Sequence, residues 1–182
     1  LYIKNIYPEK IESILITFGG TDSKNLTKYS LDSIKSHCAK NDISIYIVTG
    51  PGYQYYSELE KYISKMKNVS LTYATGVISE IMENAQIALT SNGRTVYELA
   101  HMNIPSIVIS QHKRESGHKF SSLENGMVNI GIFDKKETKF LITSTFERML
   151  EDRAYFDMLF ENCSRFDFSR NKTKVTQLIE NI

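Results

Sequence analysis

The sequence predicts an α/β fold in which helices cover both faces of a parallel β-sheet. Six short apolar segments alternate with amphipathic segments of helical period along the 182-residue chain. Glycine, proline, asparagine and aspartate separate these segments at the expected turns. Parallel strands need a helical crossover between them, so this alternation is typical of a doubly wound, Rossmann-like, six-stranded sheet.

The predicted strands are rich in isoleucine, leucine and valine, as expected of strands buried on both faces. They run over Ile11 to Phe18, Ser44 to Thr49, Val69 to Tyr73, Gln86 to Thr90, Ser106 to Ser110 and Met127 to Phe133. The predicted helices run over Asn25 to Ala39, Tyr56 to Met66, Ser79 to Asn84, Thr95 to Met102, Ser116 to Asn125, Glu137 to Phe160 and Lys172 to Ile182.

The first strand leads into a glycine-rich loop, Gly19-Gly20-Thr21-Asp22. Two glycines at the carboxyl end of a buried strand let the backbone approach a ligand closely. The loop lacks the third glycine of the GxGxxG fingerprint, so it does not predict a dinucleotide site. A tight turn followed by a helix cap accounts for the same residues, and the sequence leaves both interpretations open.

The stretch from Ala88 to Ser110 combines a strand, a turn, a short helix and a second strand. Asn92 and Gly93 favour a turn through left-handed backbone, and Thr95 is the predicted N-cap of the helix. The free amides at such a helix start form a site for an anion such as phosphate. Glu98 either closes a capping box with Thr95, which its spacing favours, or accepts hydrogen bonds from ligand hydroxyls.

A polar segment, Gln111 to His118, follows the fifth strand. Ligands of open parallel sheets bind at the carboxyl ends of the strands, although a solvated loop explains the segment equally well. Four candidate ligand loops fall at such ends: Gly19 to Asn25, Ala74 to Ile78, Ser91 to Glu98 and Gln111 to His118. Their shared position predicts one binding site.

Composition narrows the classes of function. The net charge of +1, from 22 basic and 21 acidic residues, gives no electrostatic basis for nucleic-acid binding. Cys38 and Cys163 lack metal-ligand or disulfide spacing, so free thiols and no metal site are expected. No apolar run approaches the roughly 20 residues of a transmembrane helix, and we expect a cytoplasmic protein. Because the chain begins at Leu1, residues 1–10 are expected to be a linker from a missing upstream domain, and residues 11–182 the folded domain.

The segments ILITFGGTD, ALTSNGRTVYELAHMNIPSIVIS and QHKRESGHKF resemble the C-terminal nucleotide-sugar domain of GT-B-type enzymes. The closest likeness is to UDP-sugar hydrolases of pseudaminic acid biosynthesis and related spore-coat polysaccharide proteins. A more distant one is to the GlcNAc transferase that makes the lipid-linked peptidoglycan precursor. The likeness covers nearly the whole chain, and its most specific parts are the GGTD loop and the SNGRTVYE segment.

The resemblance implies UDP or a UDP-sugar as ligand, with no cofactor and no metal. The positions that it assigns to the diphosphate are Gly19, Gly20, Thr21, Gly93, Arg94 and Thr95. It assigns Glu98 to the ribose, which reverses the preference for a capping role, and Val77 and Ile78 to the base. The positions that it assigns to the sugar side are Gln111, His112, Glu115 and His118.

Two departures from the hydrolases concern the reaction. Those enzymes bring a catalytic histidine from an N-terminal domain, so the catalytic residues are expected in such a domain of the same polypeptide. They also tend to carry an Asn-Gln pair where this chain has Arg114-Glu115. The leading expectation is the UDP-sugar-binding half of a nucleotide-sugar hydrolase in nonulosonate or surface-polysaccharide synthesis, inactive by itself. The alternatives are the donor-binding domain of a GT-B glycosyltransferase and a non-catalytic nucleotide-binding module.

Overall fold

The computed structural model describes residues 3–73, 76 and 78–168. Within them one sheet is built from β1 (Ser13–Thr17), β2 (Ser44–Thr49), β3 (Val69–Tyr73), β4 (Ile87–Ser91), β5 (Ser106–Ser110) and β6 (Met127–Ile132). The strands lie in the order β3-β2-β1-β4-β5-β6, and every neighbouring pair is parallel. The chain starts at the centre and winds outward in both directions, which confirms the predicted doubly wound six-stranded sheet.

Helices connect the strands and cover the sheet. The described α-helices are α1 (Leu26–Lys40), α2 (Tyr56–Ile63), α3 (Ile78–Met82), α4 (Thr95–His101), α5 (Thr138–Glu151) and α6 (Arg153–Ser164). None of the helices in this part of the chain is long and apolar enough to cross a membrane. The predicted helix from Lys172 to Ile182 lies outside the described residues.

The predicted helix from Glu137 to Phe160 is two helices in the structure, α5 and α6. Asp152 separates them with an extended backbone, at φ −96° and ψ 91°. Its carboxylate accepts a hydrogen bond from the Tyr155 amide at 3.0 Å, so Asp152 is the N-cap of α6. The apolar pattern continued across this break, and the sequence interpretation gave Asp152 no capping role.

The predicted helix from Ser116 to Asn125 does not form. The structure has two short 3-10 turns in its place, at Glu115–Gly117 and Leu123–Asn125. The side chain of Asn92 donates to the carbonyls of Glu115 and His118, at the start of this segment, and holds it against the turn after β4.

An apolar cluster lies on each face of the sheet. Alternate residues of β1 divide between them, with Ile14 and Ile16 in the cluster below α1, α5 and α6, and Leu15 in the cluster below α4. All residues of β1, β4 and β5 are buried. The loops that follow these three strands therefore start from fully buried strands.

A charged network joins α1 to α2. Asp32 pairs with Lys28 at 2.9 Å and with Lys35 at 2.6 Å, and the Tyr62 hydroxyl donates to the same carboxylate. Burial acts to raise the pKa of Asp32, but the hydrogen bonds from Lys35, Tyr62 and Lys28 outweigh it and lower the pKa to about 2. The carboxylate is therefore ionised throughout the neutral range.

The described residues of the predicted linker pack against the domain. The Asn5 side-chain amide donates to the carbonyls of Met82 and Met102 at 3.0 and 3.1 Å. Arg153 donates to the carbonyls of Pro8 and Glu9. This segment is attached to the fold along its length, while its role as a linker to an upstream domain stays a prediction.

Candidate functional site

A cleft of about 460 Å³ opens at the carboxyl ends of the central strands. Its lining residues come from the loops after β1, β4 and β5, which are neighbours in the sheet. They are Phe18, Gly19, Gly20, Thr21, Ser91, Gly93, Arg94, Thr95, Glu98, Gln111 and Glu115. The cleft lies where the strand order reverses between β1 and β4, the usual ligand position in this class of sheet. Three of the four predicted ligand loops meet here.

The loop after β1 divides its residues between capping and the cleft. The buried Asp22 carboxylate accepts hydrogen bonds from the amides of Leu26 and Thr27, both at 2.8 Å. Burial raises the pKa of Asp22, and the bonds from Thr27 and Leu26 oppose that rise. Asp22 therefore holds the start of α1, and Gly19 and the two residues after it line the cleft. The capping interpretation thus holds for Asp22, and ligand binding by the glycines stays a prediction.

The loop after β2 supports the glycine loop from behind, a role that the sequence interpretation missed. The Gly52 amide donates to the Gly20 carbonyl at 2.9 Å. A Cβ added to Gly50 would lie 2.5 Å from the Gly20 Cα, closer than real Cβ atoms come to backbone. Gly50 follows β2 directly, and its missing side chain lets the two loops touch.

The turn after β4 differs from its prediction in two respects. Arg94, not Thr95, occupies the N-cap of α4, and no side chain caps the helix, so there is no capping box with Glu98. Asn92 and Gly93 do not have positive φ angles. The Gly93 amide bonds to the Ser91 carbonyl at 2.9 Å and closes the turn without left-handed backbone.

Asn92 is fully buried and connects the turn after β4 to the loop after β5. Its side-chain amide donates to the carbonyls of Glu115 and His118, at 2.9 and 3.1 Å. Its carbonyl oxygen accepts a hydrogen bond from the Ser121 hydroxyl at 2.5 Å. The sequence interpretation gave Asn92 only a turn role, and the one available signal was an amide side chain directly after a buried strand.

Two of the four predicted sugar-side residues lie in the cleft. The buried Gln111 side chain donates to the Phe18 carbonyl at 3.3 Å, across 93 residues of sequence. The Gln111 amide donates to Glu115 Oε2 at 2.7 Å. His112 and His118 are exposed and are not among the residues that line the cleft. The structure thus brings together Gln111 and Glu115 and leaves both histidines outside.

Glu98 stands between this cleft and a second one of about 350 Å³, and it lines both. The second cleft lies between α3 and α4 and is lined by Gly76, Ile78, Ser79, Met82, Glu98, His101 and Met102. Desolvation by the cleft walls raises the pKa of Glu98, although its side chain remains open to solvent, and the charge of Arg94 opposes this rise. No donor within the described residues is bonded to its carboxylate. Val77, the other residue assigned to the base, lies outside the described residues.

The two cysteines are buried free thiols, as the sequence predicts. Burial raises the pKa of each thiol to about 12. Within the part of the chain that the structure describes, no three His, Cys, Asp or Glu side chains are grouped as metal ligands would be.

Three solved structures illustrate the fold that this chain shares with larger proteins. Anabaena Alr3699/HepE in complex with UDP-glucose aligns with a TM-score of 0.66 and 13% identity, over 94% of this chain and 49% of that chain. Acinetobacter baumannii MurG aligns with a TM-score of 0.69 and 15% identity, over 97% and 51%. UDP-GlcNAc 2-epimerase from Neisseria meningitidis bound to UDP-GlcNAc aligns with a TM-score of 0.69 and 14% identity, over 94% and 45%. At these identities the likeness shows the fold alone.

At the level of sequence, the uncharacterized protein MJ1062 of Methanocaldococcus jannaschii is 32% identical over 108 residues, 58% of this chain and 22% of that protein. The chain thus spans less than a quarter of this relative and about half of each structural neighbour. The model of the glycosyltransferase family 28 C-terminal domain matches residues 13–180, which include every strand and both clefts. The chain therefore belongs to the glycosyltransferase family 28 C-terminal domain family.

Proposed function

We propose that this chain is the UDP-sugar-binding domain of a larger enzyme. The position of Glu98 carries the proposal, because its carboxylate lines two clefts. One is the cleft lined by Gly19, Gly20 and Gly93, called the glycine-rich cleft below, and the other is the cleft between α3 and α4. A nucleoside diphosphate needs adjoining subsites for base, ribose and phosphates, and a carboxylate between the first and last of these accepts hydrogen bonds from ribose hydroxyls. The bound UDP-glucose and UDP-GlcNAc in two proteins of the same fold support this choice of ligand.

The ligand would extend from one cleft into the other. The base lies against Ile78 in the cleft between α3 and α4, and Val77 is proposed beside it. The diphosphate lies between the Gly19-Gly20-Thr21 loop and Gly93-Arg94-Thr95, and Arg94 offers it one guanidinium. The sugar lies toward Gln111 and Glu115, and its assignment to His112 and His118 stays a prediction.

The same arrangement can serve reactions in which UDP leaves the sugar. Charge develops on the diphosphate as the bond to the sugar breaks, and fixed amides together with Arg94 stabilise that charge. The attacking group and its base would come from an N-terminal domain of the same polypeptide. We propose hydrolysis, with water as the attacking group, on the strength of the sequence resemblance to UDP-sugar hydrolases.

Glycosyl transfer is the second candidate, and the family description itself favours it. Incubation of the full-length polypeptide with a UDP-sugar distinguishes the two reactions by their products. Free sugar appears in hydrolysis, whereas a glycosylated acceptor appears in transfer. A third candidate, a non-catalytic binding module, requires that UDP binds and that neither product forms.

Calorimetric titration of UDP tests the proposed site. We expect the wild-type chain to bind UDP and Glu98→Ala to bind it about tenfold more weakly, because hydrogen bonds to a charged acceptor are lost. Glu161→Ala is the matched control, since Glu161 is exposed on α6, away from both clefts. Absence of UDP binding would overturn the proposed function. Equal affinities of wild type and Glu98→Ala would overturn the ribose assignment alone.

A further inference from the structure

The charged side chains that line the glycine-rich cleft come from two parts of the chain, the start of α4 and the loop after β5. Among the residues that line it, these are Arg94, Glu98 and Glu115. Arg94 is the N-cap residue of α4, and Glu98 lies on the first turn of α4 and also lines the second cleft. Glu115 lies on the loop after β5, which is on the far side of β4 from β1. The part of the cleft formed by the loop after β5 therefore carries a carboxylate.

The structure holds this carboxylate in place from several directions. Glu115 Oε2 accepts a hydrogen bond from the Gln111 amide at 2.7 Å. The main-chain carbonyl of Glu115 is bound by the buried Asn92 side chain, and Gln111 is tied to the Phe18 carbonyl. A side chain that is fixed before the ligand arrives recognises it without a further loss of conformational entropy.

One oxygen of the Glu115 carboxylate is left for a ligand. No donor within residues 3–73, 76 and 78–168 is bonded to Oε1, and no lysine, arginine or histidine of this part of the chain forms an ion pair with Glu115. An ionised carboxylate accepts hydrogen bonds and donates none. It can therefore bind sugar hydroxyls, but it repels a second carboxylate placed beside it.

The geometry points to Glu115 as a specificity-determining residue that favours uncharged sugars and disfavours acidic sugars such as hexuronates. This inference rests on the proposed binding of a UDP-sugar. Arg94 is the one guanidinium among the lining residues, and the diphosphate would occupy it. A hexuronate carboxylate beside Glu115 would then find no second cation among the residues that line the cleft.

Calorimetry with UDP, UDP-glucose and UDP-glucuronate tests this inference on the 182-residue chain at pH 7.5. We expect the wild type to bind UDP-glucose about tenfold more tightly than UDP-glucuronate, the effect of two like charges about 6 Å apart in a partly solvated cleft. In Glu115→Gln the two affinities should differ by less than about threefold, while UDP affinity stays within about twofold. Glu115→Asp keeps the charge and should keep the discrimination.

Glu161→Gln is the control, because it removes an exposed carboxylate of α6 and should leave the preference unchanged. Equal affinity of the wild type for the two UDP-sugars, or an unchanged preference in Glu115→Gln, would overturn the role of Glu115 while UDP binding stands. Failure of all three ligands to bind would instead overturn the proposed function, and this inference with it. Retained UDP affinity in Glu115→Gln shows that the variant is folded.

Discussion

Replacement of Asn92 by alanine should destabilise the fold and weaken the attachment of the loop after β5, which lines the cleft. The buried side chain makes three hydrogen bonds, with the carbonyls of Glu115 and His118 and with the Ser121 hydroxyl. At a net value of about 1 kcal/mol for each bond, Asn92→Ala should lower the free energy of unfolding by about 3 kcal/mol. That is a large fraction of the roughly 5–15 kcal/mol that stabilises a typical domain.

Urea denaturation monitored by circular dichroism measures this loss. Ser121→Ala removes one of these three bonds and also the bond that the Asn129 side chain donates to the Ser121 hydroxyl, so it should cost about 1–2 kcal/mol. Asn84→Ala is the matched control, because Asn84 is exposed and its side chain makes one hydrogen bond, to the Glu80 carbonyl; it should change stability by less than about 0.5 kcal/mol. A loss below about 1 kcal/mol in Asn92→Ala would refute the view that this side chain holds the loop after β5.

Two further substitutions test the support of the cleft and the charged network. Gly50→Ala places a Cβ 2.5 Å from the Gly20 Cα. The glycine loop is then displaced, which should weaken UDP binding and lower the free energy of unfolding by about 1–3 kcal/mol. Unchanged UDP affinity would contradict the proposed support of that loop. The folded-state pKa of Asp32, about 2, lies below its ordinary value of 3.8, so its stabilising effect is present above that value and is lost as pH falls toward 2. Asp32→Asn should therefore lower the free energy of unfolding at pH 6 and lower it much less at pH 2. Urea denaturation at the two pH values measures this difference. An equal loss at pH 6 and pH 2 would contradict the depressed pKa of Asp32.

The sheet was predictable because its signals are local. The bounds predicted for β2, β3 and β5 are those of the structure, since each strand is a short apolar run ended by turn residues. Helix ends were less predictable. Asp152 divides one apolar pattern into two helices. The segment from Ser116 to Asn125 forms no α-helix, and the distant Asn92 side chain binds the carbonyls of Glu115 and His118 at its start.

The candidate site was predictable in its loops but not in its side-chain roles. A glycine-rich loop and a polar segment at strand ends indicate a cleft, because all carboxyl ends of a parallel sheet lie at one edge. Thr95 was predicted as an N-cap and is not one, and His112 and His118 were predicted at the sugar side but lie outside the cleft lining. Whether an exposed loop residue points into a cleft depends on how the whole loop is held.

The amino-acid sequence is enough to predict the six strands, their doubly wound connection and the edge of the sheet where a ligand would bind. These follow from residue type and spacing over a few neighbouring positions. Folding, in contrast, gave two side chains roles that no local pattern predicts: Asn92 fastens two loops together, and Glu98 lines both clefts. Each of these roles depends on which backbone or side-chain atoms lie within a few ångströms after folding. Asn92 bonds to a carbonyl 23 residues away and Gln111 to one 93 residues away, and such distances leave no local pattern in the chain.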